Sequence, residues 1–267
     1  MRAELYVKPL LLLTALGLGS ARADAVPPRV LRVCADPNNL PFSDRKERGL
    51  ENALAELLAK DLGATLRYTW WAQRRGAVRS TLTAGECDVM MGVPTSLESL
   101  ATTAPYYTSS YVFLSRRSRG LGITSFDDPR LRTLRVGVQL VGDDYANTPP
   151  VHALSRRGIS DNVRGYSVLG DYGGDVPAAA IVRAVQRGEV DVALVWGPLA
   201  GYFAREPSND LVVALVPDHE ASLPMRFAIS MGTRRRDEAL RSEVDAFITR
   251  RQSEIDALLR RYGVPRP

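Results

Sequence analysis

Two α/β lobes, each a mainly parallel sheet flanked by helices, are what the hydrophobic periodicity predicts. Short apolar runs alternate with helical stripes through the first third of the chain, and the alternation restarts after residue 133. Glycines follow the helical stripes where a C′ residue would stop them. A strand, helix, strand succession needs parallel pairing with right-handed crossovers.

The first unit opens with an apolar strand signal at Val30 to Val33, followed by Asp36, Pro37, Asn38, Asn39 and Pro41, a loop composition. Leu50, Leu54, Leu57, Leu58 and Leu62 repeat at helical spacing, and Gly63 stops that helix. Thr65 to Trp71 reads as a strand, Ala77 to Ala84 as a short helix ended by Gly85, and Val89 to Val93 as a strand. In the second unit Leu134 to Val138 is a strand, Ala146 to Arg157 a helix stopped by Gly158, and Val163 to Val168 a strand. Pro177 starts a helix that Gly188 closes. Val190 to Trp196 and Leu211 to Val216 follow as strands, then Met225 to Met231 as a strand and Asp237 to Tyr262 as one amphipathic helix. Ligands of open α/β sheets sit outside the carboxyl ends of the strands. That rule singles out Asp36 to Phe42, Trp70 to Arg75, Gly92 to Ser96, Gln139 to Tyr145, Gly170 to Asp175 and Trp196 to Tyr202.

At 267 residues, 45% apolar and 24% charged, the composition excludes fibres, disordered chains and multi-span membrane proteins. Residues 1–23 read as a secretory signal: a basic start, an apolar run from Leu10 to Leu18 too short for a bilayer, and Ala21-Arg22-Ala23. The expected location is therefore periplasmic, without membrane insertion. A net charge of +5 and a secretory signal argue against nucleic acid. The redox state of Cys34 and Cys87 stays open: extended strands at about 3.3 Å per residue would hold them apart and favour two buried thiols, whereas an oxidising compartment favours a bridge.

Catalytic templates fail in turn. There is no G-x-S-x-G elbow, no G-x-x-x-x-G-K-[ST] loop and no H-E-x-x-H pair. His152 and His219 have no second ligand at metal spacing, and Asp143 with Asp144 reads as a helix cap rather than a cation site. Glycines 170, 173 and 174 mark a loop, not a phosphate cradle. Arg116-Arg117, Arg234 to Arg236 and Arg250-Arg251 read as solvated faces.

The order of Leu31 to Asp36, Gly49-Leu50-Glu51, Ala84 to Gly92 and Pro105-Tyr106-Tyr107 resembles the periplasmic family-3 solute-binding proteins. The stretches Asp36 to Phe42, Trp70 to Gly76, Gly137 to Asp144, Ala146 to Pro150 and Val195 to Phe203 are most similar to its quinoprotein-dehydrogenase-associated branch, the J proteins of methanol dehydrogenase clusters. The resemblance implies the type II periplasmic-binding-protein fold. Lobe 1 would comprise 24–105 plus 225–267 and lobe 2 111–219, with hinge crossings at 106–110 and 220–224. It also implies a non-enzymatic accessory role, with no cofactor, toward the large subunit of a pyrroloquinoline-quinone (PQQ)-dependent methanol or alcohol dehydrogenase. The alternative is a receptor that delivers a small neutral or aromatic solute to an ABC permease.

Amino-acid binders of this family clamp the ligand carboxylate with an arginine and its amino group with an aspartate, at positions that align here with Ser99 and Gly197. The expected ligand or partner cleft instead gathers Asp36, Asn38, Asn39, Phe42, Trp70, Trp71, Arg74, Arg75, Pro94 and Thr95 from the first lobe with Tyr106 and Tyr107 from the first hinge crossing. Gln139, Asp143, Asp144, Tyr145, Tyr172, Trp196 and Tyr202 face them from the second.

Overall fold

The computed structural model describes residues 28–74, 76–95, 97–141, 147–168, 173–220 and 222–266. The expected signal segment lies outside these. β1 (Val30–Ala35) leads through the short strands β2 (Asn38–Asn39) and β3 (Ser43–Asp44) into α1 (Leu50–Asp61). β4 (Thr65–Trp70), β5 (Val89–Pro94) and the two-residue β6 (Ala101–Thr102) complete the first unit. β7 (Tyr107–Arg116) is followed by β8 (Val136–Leu140), α2 (Pro149–Ser155), β9 (Val163–Ser167), α3 (Ala180–Gln186) and β10 (Val192–Trp196). α4 (Gly197–Ala204), β11 (Leu211–Leu215) and the hairpin β12 (His219–Glu220) with β13 (Leu223–Pro224) come next. β14 (Arg226–Thr233), α5 (Glu238–Arg250) and α6 (Gln252–Arg261) end the chain.

The strands join in the order β4-β1-β5-β14-β7-β10-β8-β9, with β11 beside β7 and β6 beside β14. β1 pairs parallel with β4 and β5, and β8 parallel with β9 and β10. β14 and β7 are antiparallel to their neighbours, so each half is parallel except at its inner edge. One strand belongs to both halves. Thr108, Ser109 and Ser110 of β7 pair with β14, whereas Val112 to Ser115 pair with β10 and β11.

The first half buries Leu54, Leu58, Met91, Phe247 and Leu259 between sheet and helices. The second has a core on each sheet face, one around Ile181 and Val195 and one around Phe126 and Leu154. β10, apolar throughout, suits burial on both faces. Gly63, Gly85, Gly158 and Gly188 all take left-handed φ, as helix stops require.

Several expectations are corrected. The short helix expected from Ala77 is present through Thr83, with Arg79–Thr83 wound as a π-helix rather than an α-helix. α2 is shorter than expected because the paired prolines 149 and 150 occupy its first turn. The C-terminal helix breaks at Arg251, whose φ of −109° and ψ of 18° leave the helical region. Asp61, at the end of α1, binds Arg250 at 2.5 Å and Arg251 at 2.7 Å across this break. Those arginines and Arg234, which reaches Asp88 at 2.9 Å, are therefore structural partners rather than a purely solvated face. The cysteines are bonded: Cys34 and Cys87 form a disulfide with a Cα separation of 5.5 Å. Cys87 lies in irregular chain before β5, so the spacing of extended strands does not apply to it.

Candidate functional site

The loop after β1 is held by Asp36. Its fully buried carboxylate accepts from the backbone N–H of Asn38 and of Gln73, both at 2.8 Å, while Ser43 Oγ donates to its carbonyl at 2.9 Å. This fastens the carboxyl end of β1 to the chain leaving β4. The Phe42 carbonyl accepts from Glu51 N at 2.8 Å, which seats the first turn of α1 beneath that loop.

Above this turn, between the two halves of the sheet, lies a cavity of about 350 Å³. Five expected residues line it: Asn39, Phe42, Pro94, Tyr107 and Trp196. The structure adds Glu51, Gln73, Gly92, Tyr111, Phe227 and Ile229. Tyr111, Trp196 and Phe227 form a triangle of edge-to-face rings with centroids 5.4, 6.0 and 6.3 Å apart. They come from β7, the end of β10 and β14, and sequence distance hides their convergence.

Glu51 is the unforeseen member. It is 6% exposed, and its Oε2 is enclosed without a hydrogen-bond partner. Burial, reinforced by repulsion from Asp36, pushes its carboxyl up to about 8. Gly92 makes room for it: with φ at +59°, a Cβ there would collide with Glu51 Oε1. The Gly49-Leu50-Glu51 signature marked the position, but an acid in a helical first turn reads ordinarily as a dipole partner.

The other expected residues lie elsewhere. Gln139 is buried, and its Oε1 accepts from Trp196 N at 2.7 Å, holding the start of α4. Thr95 Oγ1 bonds the Ala228 carbonyl at 3.0 Å and Ser230 Oγ at 2.8 Å. Tyr106 packs edge-on to Tyr107 within the first core. Tyr202 stacks on Tyr262, with the Arg205 guanidinium 4.1 Å from its ring. Trp70 stacks on Tyr68 at 4.6 Å, Trp71 is 49% exposed, and Arg74 is exposed on the same segment. Asn38 Nδ2 donates to the Gly174 carbonyl at 3.0 Å, a bond from one half of the chain to the other. Arg75, Asp143, Asp144, Tyr145 and Tyr172 lie outside the described residues. Among the described residues no three His, Cys, Asp or Glu side chains converge as a metal site.

The model of the bacterial extracellular solute-binding proteins, family 3, matches residues 31–265. The chain belongs to this family. It is 32% identical to Protein MoxJ of Methylorubrum extorquens over 92% of this chain and 85% of that protein. The periplasmic binding protein XoxJ of Methylobacterium extorquens AM1 superposes with a TM-score of 0.74 at 32% identity, covering 89% of this chain and 99% of that one. MxaJ of Methlophaga aminisulfidivorans MPT shares the fold, with a TM-score of 0.75 at 23% identity over 88% of this chain and 99% of that one.

No Lys, Arg or His occurs among the described residues that line the cavity. Ser99 lies in a separate surface depression beside Arg234, Arg235 and Arg236. At Gly197 a Cβ would come within 2.5 Å of the Ser110 carbonyl and 2.9 Å of Ser109 Oγ, so β7 leaves no space for an aspartate. Gly197→Asp should therefore cost about 2 kcal/mol or more by overpacking and create no amino-acid affinity. Thermal melting and calorimetry with the standard amino acids check both; submicromolar binding by parent or variant would refute this account.

Proposed function

We propose that the protein is a non-enzymatic periplasmic accessory factor that binds the large subunit of a PQQ-dependent methanol or alcohol dehydrogenase and assists its maturation or activation. The observation that carries this reading is the 32% identity to MoxJ across 92% of the chain. A cleft without the two charges of an amino-acid clamp supports it, as does a cavity lining that offers no nucleophile and base pair among the described residues. Exposed Trp71 and the neighbouring Arg74 are residue types that anchor protein interfaces.

Co-purification of the tagged protein with the dehydrogenase tests the partnership, and dehydrogenase activity with and without it tests the role. Trp71→Ala should leave the melting temperature nearly unchanged and weaken dehydrogenase binding about 30-fold, the scale of one interface anchor at about 2 kcal/mol. Unaltered binding would remove Trp71 from the interface. No capture by the parent protein would remove the partnership.

A further inference from the structure

Among the described residues that line the cavity there is one carboxyl, Glu51, set within aromatic walls, and no cationic side chain. Its Oε2 has no hydrogen-bond donor, and Gly92 is shaped to admit the carboxyl. The groups facing it are Asp36 from the first loop, Tyr68 from β4, and Tyr106 and Tyr107 from the entry to β7. Burial holds the three phenols protonated. None of these groups can neutralise a carboxylate.

The rings of Tyr111, Trp196, Phe227 and Phe42 border the same space. Aromatic faces attract cations and accept apolar chains, and they offer nothing to an anion. A volume of about 350 Å³ suits a ligand of several heavy atoms. We infer that the cleft binds a small organic ammonium ion, with the Glu51 carboxylate as its counter-charge and the aromatic walls around its alkyl or aryl body. Asn39 and Gln73 supply the remaining polar rim. The ligand restores the charge and the N–H donor that the buried carboxylate lacks. The inference does not depend on the dehydrogenase reading, which co-purification tests separately.

Because the free protein keeps Glu51 protonated near neutrality, an ammonium ligand binds with loss of that proton. Calorimetric titration with n-butylammonium, charged throughout pH 6 to 9, tests this against neutral 1-pentanol. Affinity for n-butylammonium should rise about fifty- to a hundredfold from pH 6 to pH 9, as the fraction of ionised Glu51 rises. At pH 7 binding should release close to one proton, read from titrations in buffers of different ionisation heat. Binding of 1-pentanol should show neither effect. Glu51→Gln, its folding verified by a cooperative melt, should abolish the rise with pH. Absence of n-butylammonium binding at pH 9, affinity independent of pH, equal binding of the alcohol at pH 9, or an unchanged Gln variant would each overturn the assignment. The proton-release measurement on the parent protein decides the matter should the variant fail to fold.

Discussion

Replacing Cys34 and Cys87 together by alanine should lower the stability of the protein by about 4 kcal/mol in an oxidising buffer. The bond closes a loop across 53 residues of sequence, and chain-entropy scaling for a loop of that length gives about this value. Both cysteines are buried, so packing loss adds to the effect. The bond also ties β1 to the turn before β5, where Asp88 receives Arg32 at 2.6 Å and Arg234 at 2.9 Å. Urea denaturation of parent and double variant measures the difference, and thiol titration of the denatured, unreduced parent should find no free sulfhydryl. Equal urea midpoints, or two titratable thiols, would refute the bridge.

The second large effect concerns Glu51 and pH. Folding moves its carboxyl from the ordinary 4.5 to about 8, because burial penalises the anion and Asp36 repels it. Between those values the native protein holds a proton that the unfolded chain has released. Stability from this group is complete below pH 4.5 and is lost as pH rises through 8, with a slope approaching about 1.4 kcal/mol per pH unit. The loss amounts to several kcal/mol. Glu51→Gln keeps the shape of the neutral acid and cannot ionise. Parent and variant should match at pH 4.5, and at pH 9 the variant should be several kcal/mol more stable. Subtracting the two urea stability curves cancels carboxylates such as Asp61 and Asp88, whose arginine partners hold them below the usual range. Parallel curves from pH 4.5 to 9 would show that Glu51 is not held neutral.

The order of strands and helices was legible where one element carries its own signal. The leucine stripe of α1, the apolar run of β10 and the glycine stops are local patterns, and each element lies where its pattern lay. α4 carried no such signal and no element was expected there; the structure has a helix with Pro198 in its first turn, packed on β7. The helix break at Arg251 was equally hidden, since Val244, Phe247, Ile248, Ile255 and Leu259 keep a helical period through it. Of the expected cleft, Asp36 and Gln139 are polar residues at strand ends that bind backbone instead of facing the cavity.

By itself the sequence determined the two α/β units and the family, because periodicity and signature order are properties of the chain in line. Only the tertiary structure decided that β7 runs through both halves, that Cys34 meets Cys87, and that Glu51 shares a cavity with three rings from three strands. Those facts depend on which segments meet across the fold. A hydrophobic pattern records that a residue is buried and is silent about what it is buried against.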